Sequence, residues 1–183
     1  MKRALLIALA AASLAACATT SEAPGGGPPP PPPPPRGEAP PSAMVFRPAD
    51  FAWSTVPGSA SLQGTMAYKA GATRYSCQGG DVVLTPETLW SRRRMTILYG
   101  SPTNAAIPVT TVRARTPSAP SGDYANYVRH ATCDAGNHFS FGGLPDGAWF
   151  VITLAKPVGV AGDPVAVMRR VETRGGSRAV LLN

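Results

Sequence analysis

Eight consecutive prolines at residues 28–35 constrain this chain more than any other stretch. Proline fixes the φ torsion angle and has no backbone N–H, so such a run joins neither a helix nor a sheet and forms a polyproline II rod. At about 3.1 Å per residue, the rod is roughly 25 Å long. Together with the glycines at residues 25–27, it predicts a disordered linker over residues 17–43 and one folded domain over residues 44–183.

The segment before the linker has the features of a secretory signal. Residues 1–16 begin with Lys2 and Arg3 and continue as an apolar run, which is shorter than the roughly 20 residues that span a bilayer. The motif LAAC at residues 14–17 resembles the lipobox of bacterial lipoproteins. This resemblance implies cleavage before Cys17 and attachment of diacylglycerol to its sulfur. The alternative is an ordinary signal peptide that is cut after Ala18.

The lipobox resemblance also implies a location. Ala18 follows the cysteine, in place of the aspartate that tends to retain lipoproteins in the inner membrane of enteric bacteria. We therefore expect a membrane-anchored lipoprotein of the outer membrane that faces the periplasm. An anchor directly upstream favours the proline rod as a spacer over its other reading, a ligand for an aromatic groove.

The expected export of the protein affects how its positive charge and its two remaining cysteines are interpreted. The formal charge is +7, with a basic cluster at residues 92–94, but an exported protein does not meet cytoplasmic nucleic acid, so we expect no nucleic-acid partner. Cys77 and Cys133 remain as an even pair in an oxidising compartment, which favours a disulfide bond. Two separate buried thiols are the alternative.

Residues 44–183 have the pattern of an all-β domain. Short stretches rich in Val, Thr and aromatic residues alternate with Gly and Pro clusters, and residues 59–69 alternate apolar with polar residues. About seven strands in two sheets are expected. One short helix is predicted within an inserted segment at residues 86–126, with Thr85 as N-cap, Pro86 at the first helical position and Gly100 at the end.

Residues 133–154, with the sequence CDAGNHFSFGGLPDGAWFVITL, carry a resemblance to a known family. Phe139 and Phe141 fall on one strand face, and LPDG at residues 144–147 suits a type I turn. The segment resembles the signature of the carboxypeptidase regulatory-like domain, a transthyretin-like (prealbumin-like) β-sandwich. Asn137 stands where the family has glycine, and Trp149 stands where it usually has tyrosine. The resemblance implies a non-catalytic support or binding module, because the family takes its name from a neighbouring zinc carboxypeptidase.

No motif predicts catalysis. The chain lacks a Gly-x-Ser-x-Gly elbow and a glycine loop for phosphate between a strand and a helix. His130, Cys133 and His138 are close enough in sequence to suggest zinc, but two surface histidines beside a hairpin are the favoured interpretation. We therefore expect no enzyme activity, no metal and no cofactor.

The strand after Gly147 is apolar on both faces, so something must cover Phe150, Ile152 and Leu154. The segment at residues 86–126 is one candidate cover, and a partner protein or a second copy is the other. The predicted partner or ligand surface therefore comprises Trp90, Tyr99, Phe150, Ile152 and Leu154.

These observations favour a lipid-anchored envelope protein whose β-sandwich is a non-catalytic interaction or structural module, with an envelope protein as a possible partner. A module that binds sugar, peptide or another small ligand is the alternative. A small hydrolase or a metal-binding protein is a third reading.

Overall fold

Alternating apolar residues give most segments of this chain one buried face, and two sheets pack these faces together. The computed structural model describes residues 43–183. The predictions for the signal peptide, for Cys17 and for the proline linker lie outside these residues. The prediction of an all-β, two-sheet sandwich is confirmed. Among residues 43–183, no helix is long and apolar enough to cross a membrane.

The described residues contain ten strands and two α-helices, with 3₁₀ turns in the connections. The strands are β1 Ala60–Met66, β2 Lys69–Ala70, β3 Thr73–Ser76, β4 Asp81–Pro86, β5 Asn104–Pro108, β6 Arg129–Thr132, β7 His138–Leu144, β8 Gly147–Pro157, β9 Val165–Thr173 and β10 Ser177–Leu182. The α-helices are α1 Leu89–Tyr99 and α2 Val109–Arg115. The 3₁₀ helices are Pro48–Thr55, Thr116–Ser118 and Ala125–Tyr127.

The smaller sheet has the order β10-β1-β7, with β1 parallel to β10 and antiparallel to β7. In the larger sheet, β8 is central. One edge of β8 pairs with β9, which in turn pairs with β5. The other edge pairs with β4 and, further along, with β3. The β2 strand extends β3, and β6 extends β4.

The main core lies between the two sheets. Trp149, Val151 and Ala155 of β8 face the smaller sheet and are fully buried. The Trp149 Nε1–H donates to Thr173 Oγ1 at 3.2 Å, and Thr173 Oγ1 donates to the carbonyl oxygen of Pro145 at 2.8 Å. The polar atom of the buried indole is therefore satisfied, as a buried tryptophan requires.

A second apolar layer covers the outer face of β8. Phe150 is fully buried and Ile152 is half-buried in a cluster with Met95 and Leu98 of α1. The segment at residues 86–126 is therefore the cover for these two β8 residues. It contains α1, β5 and α2, more regular structure than the single predicted helix.

The predicted start of the helix was wrong by three residues. Thr85 and Pro86 end β4, where they pair with Phe150 and Trp149. The N-cap is Thr88, whose Oγ1 accepts from the Ser91 N–H at 3.1 Å, while the Ser91 Oγ accepts from the Thr88 N–H at 2.8 Å. Strand β4 continues through Thr85, the first residue that could cap the helix, so the helix starts at the second capping residue, Thr88. The helix ends at Gly100 in the left-handed conformation, as predicted.

The other differences concern short elements. The sequence predicts about seven strands, whereas the structure has ten in the described residues. The three shortest strands are the two-residue β2 and the four-residue β3 and β6, and they form the three shortest pairings. The predicted disulfide is present between Cys77 and Cys133, whose Cα atoms are 5.8 Å apart. It joins the connection after β3 to the turn between β6 and β7.

The residues before β1 are packed against one end of the sandwich. Phe51 is fully buried, and its ring contacts Phe46 and Trp90 with centroid distances of 5.2 and 5.9 Å. Trp53 packs edge-on against Trp149 at 4.9 Å and lies over Gly147. The described chain therefore enters the domain at the Gly147 end of β8.

The Gly64→Ala variant tests the packing of the smaller sheet. A Cβ at position 64 would lie 1.9 Å from the Phe139 ring, whereas one at Gly142 meets nothing within 4 Å. We expect Gly64→Ala to lower the free energy of unfolding by about 2 kcal/mol through overpacking. The matched Gly142→Ala variant should be neutral or slightly stabilising. Urea denaturation of both proteins measures this, and equal effects would contradict the packing described.

Candidate functional site

A cleft of about 690 Å³ lies along the smaller sheet. Strand β6 and the turn between β6 and β7 bound it on one side. Its lining is mainly polar or small and comprises Gln63, Gly64, Thr65, Ala131, Thr132, Asp134, His138, Phe139, Ser140, Ala179 and Val180.

Strand register places the polar side chains side by side. Gln63 of β1 is the cross-strand partner of Ser140 in β7 and of Ala179 in β10. Thr65 is the partner of His138 in the same way. Because direct partners point to the same face, an amide, two hydroxyls and an imidazole lie on the outer face of one small sheet. The small Ala179 side chain leaves the space beside Gln63 open.

Backbone hydrogen bonds hold the turn at the side of the cleft. Asp134 Oδ1 accepts from the His138 N–H at 2.7 Å and from the Gly136 N–H at 2.8 Å. The His138 N–H, aided by that of Gly136, holds the pKa of Asp134 below its usual value, against a weaker opposing effect of desolvation. Asp134 is therefore a carboxylate at neutral pH.

Asn137 occupies the tightest position of this turn, with φ = 63°. Asparagine tolerates this left-handed conformation, so the turn does not require a glycine at this position. Its side-chain oxygen accepts from Ser76 Oγ at 2.7 Å and from the Cys77 N–H at 3.0 Å. The disulfide lies beside these bonds, and together they fix the turn to β3.

Each of the two histidines lies beside a carboxylate. His130 Nδ1 is 2.8 Å from Asp81 Oδ2, and His138 Nδ1 is 3.4 Å from Asp134 Oδ1. Within residues 43–183, neither histidine ring is hydrogen-bonded to a serine, threonine or cysteine side chain. The same part of the chain has no group of three or more possible metal ligands. The Cys133 sulfur, considered above as a zinc ligand, is bonded to Cys77.

The structure does not bring the five predicted surface residues together on an exposed face. Trp90 and Phe150 are fully buried, Tyr99 is nearly so, and Ile152 is half-buried. Burial raises the pKa of Tyr99 to about 12, which is consistent with its place in the core. Leu154 alone among the five is exposed, at 50%. The physical reason is that α1 packs on the outer face of β8 and covers Phe150 and Ile152. Trp90 is buried against the rings of Phe46, Phe51 and Tyr124.

Sequence reasoning missed the cleft. The alternation at residues 59–69 marks Gln63 and Thr65 as the polar side of a strand. It does not show which strands lie beside them. That depends on pairing with β7 and β10, which are far away in the sequence.

The comparisons with known proteins concern the fold. No protein-family model matches the sequence, and no curated protein matches it. A crystal structure described as a "putative carbohydrate binding protein" from Pseudomonas aeruginosa is similar to this chain, with a TM-score of 0.55. The chain shares its β-sandwich fold. Sequence identity is 21%, over 75% of this chain and 96% of the other.

A minor pilin of Streptococcus agalactiae is a more distant neighbour. Its TM-score is 0.33 and its identity 16%, over 71% of this chain and 44% of the pilin.

The Asp134→Asn variant tests the charge at the turn. A carboxylate with a lowered pKa stabilises the fold fully above its unfolded-state pKa near 4, and this stabilisation is lost as the pH falls through the folded-state value. We therefore expect Asp134→Asn to be less stable than wild type at pH 7 and this difference to shrink in acid. Urea denaturation at several pH values measures it. A difference that does not change with pH would contradict the assigned role of the charge.

Proposed function

We propose that this chain is a lipid-anchored, non-catalytic binding module of the bacterial cell envelope. The LAAC motif at residues 14–17 supports an anchor at Cys17, and the prolines at residues 28–35 support a spacer between membrane and domain. We propose that the anchor lies in the outer membrane and that the domain faces the periplasm. Two or more acyl chains on one cysteine would give the stable attachment that a single chain does not.

We propose a carbohydrate as the ligand class, and the observation that carries this proposal is the polar cleft of about 690 Å³. Each sugar hydroxyl both donates and accepts a hydrogen bond. The Gln63 amide does both, as do the Thr65 and Ser140 hydroxyls, and the ionised Asp134 accepts. Strand pairing holds three of these side chains on one sheet, so little ordering is required on binding. The carbohydrate-binding description of the Pseudomonas protein supports the same class by analogy.

We further propose that the domain is of the carboxypeptidase regulatory-like type. In support, Phe139 and Phe141 of the signature are buried in the main core, and the turn at residues 144–147 connects β7 to the central β8. Asp146 Oδ1 accepts from the Gly175 N–H at 2.6 Å, which ties this turn to the connection between β9 and β10. An envelope protein is the second candidate partner of such a module.

Gln63→Ala tests the carbohydrate site. The full chain is screened against envelope glycans, and the affinity for any sugar bound is measured by calorimetry. We expect Gln63→Ala to weaken binding about five- to tenfold, because a lost hydrogen bond costs about 1 kcal/mol. Gln78→Ala, at an exposed glutamine outside the cleft, should bind like wild type. Failure to bind any glycan, or equal affinity of the Gln63→Ala variant, would contradict the proposal.

Cys17→Ser tests the anchor. Cells that express the wild-type chain should incorporate radiolabelled palmitate into it, and the chain should fractionate with the outer membrane. The serine variant should carry no label, because the serine hydroxyl does not replace the cysteine thiol as the acceptor of diacylglycerol. Unlabelled wild-type protein would show that the lipobox resemblance is misleading.

A further inference from the structure

Two loops lie next to each other at the end of the sandwich opposite the entry of the described chain. The β2–β3 hairpin turns at residues 70–72, with the sequence AGA, and the β8–β9 loop starts with VGVAG at residues 158–162. The Val158 N–H donates to the carbonyl oxygen of Arg74 at 2.9 Å, so the start of one loop is bonded to the other hairpin. Neither the three-residue stretch at 70–72 nor the five-residue stretch at 158–162 contains a side chain that can form hydrogen bonds.

These loops and the adjacent strand end expose aliphatic surface. Val158 is 48% exposed, Val160 is 56% exposed, and Leu154 is 50% exposed. All three side chains lie within residues 154–160, at and just beyond the Pro157 end of β8, and exposed aliphatic residues grouped in this way mark candidate contact surfaces. The Leu154 side chain lies on the outer face of β8, where the cover by α1 has ended.

Three cations lie directly behind the apolar loops. Lys69 and Arg74 are cross-strand partners, and Lys156 is the partner of Ser76, two residues beyond Arg74. Because partners share a face and alternate residues return to it, all three cations lie on the outer face of the larger sheet. All three are exposed.

These cations have no carboxylate within 4.0 Å in the described part of the chain. Like charges directly opposite each other destabilise a pair of strands. On β4, the strand beside β8, Asp81 carries a negative charge, and its Oδ2 lies 2.8 Å from His130 Nδ1. Asp163 directly follows the apolar stretch of the β8–β9 loop, is exposed, and offsets one of the three positive charges. The excess of positive charge is therefore local and is paired with exposed aliphatic residues.

We propose that this end of the domain docks on an anionic lipid surface, with the loops at residues 70–72 and 158–162 entering the headgroup region. The transfer of aliphatic side chains from water into the headgroup region is favourable, and the cations just behind them can form ion pairs with lipid phosphates. An aliphatic loop of valine, alanine and glycine offers a protein partner no side-chain hydrogen bonds, whereas a lipid surface requires none. The lack of hydrogen-bonding side chains in the loops thus favours lipid over an acidic protein.

The length of the chain permits this contact. The described chain enters at the Gly147 end of β8 and the loops lie at its Pro157 end, roughly 35 Å away at about 3.3 Å per residue. If Cys17 is anchored, residues 18–42 span up to about 75 Å as an extended polyproline II chain. The domain can therefore turn its loops towards the membrane that holds it. The proposal uses the anchor only for this proximity.

Vesicle binding tests the proposal without the anchor. The chain from residue 17 onward, carrying Cys17→Ser, is sedimented with vesicles of phosphatidylcholine alone or mixed with phosphatidylglycerol. We expect binding to the mixed vesicles only, decreasing with salt. The combined variant Lys69→Glu, Arg74→Glu, Lys156→Glu should reduce the partition coefficient by at least about 100-fold.

Matched variants separate the loops from general charge and hydrophobicity. Arg93→Glu, Arg113→Glu, Arg178→Glu reverses three exposed arginines that have no carboxylate within 4.0 Å in residues 43–183, and it should retain most binding. Val160→Asp should abolish binding, and Val56→Asp should not, although both valines are 56% exposed.

The other outcomes overturn the proposal. These are no binding to anionic vesicles, equal losses in the two triple variants, or equal losses in the two valine variants. Self-association of the wild-type chain that Val160→Asp abolishes, seen by analytical ultracentrifugation, would instead assign the loops to a second copy. Because the tested chain carries no lipid, a failed palmitate experiment leaves this result unchanged. The Gln63→Ala variant should bind vesicles normally, which separates the loops from the cleft.

Discussion

The burial of one strand on both faces is the constraint on which this structure depends. Trp149 and Phe150 are adjacent in β8, point to opposite sides, and are both fully buried. A strand of this kind cannot form the outside of a two-layer sandwich, because one of the two aromatic rings would face water. The smaller sheet covers Trp149, and α1 with its neighbours covers Phe150, so the helical segment is a third layer that the sequence of β8 makes necessary.

The same strand changes character along its length. In its first half the outer residues are apolar and lie under α1, whereas Leu154 and Lys156 near its end are exposed. Residues of α1, β5 and α2 pack with Phe150 and Ile152 but not with Leu154, which is 50% exposed. The outer face of β8 is therefore uncovered at the Pro157 end. Cations and small aliphatic loops occupy that end.

Local patterns in the sequence predicted the features that depend on residues close together in the chain. The alternation before Lys69, the paired phenylalanines of β7 and the glycine that ends α1 each depend on residues a few positions apart. The exact start of α1 was missed because two capping signals follow each other, and pairing of Pro86 with Trp149 selects the second. The cleft was missed for a related reason. It needs β10 beside β1, a parallel pair from opposite ends of the domain that no local pattern specifies. The disulfide was predictable from the cysteine count and the expected oxidising compartment, although its place beside Asn137 was not.

The two proposed contacts use different faces of one rigid body. Gln63 and Ser140 lie on the outer face of the smaller sheet, and Lys69 and Lys156 lie on the outer face of the larger one. Stacked sheets are about 10 Å apart, so the core separates the two sets of side chains. A ligand in the cleft therefore does not occupy the surface of the loops. This separation suits the proposed tethered module, because contact of the loops with lipid would fix the orientation of the domain and leave the polar cleft accessible to a ligand.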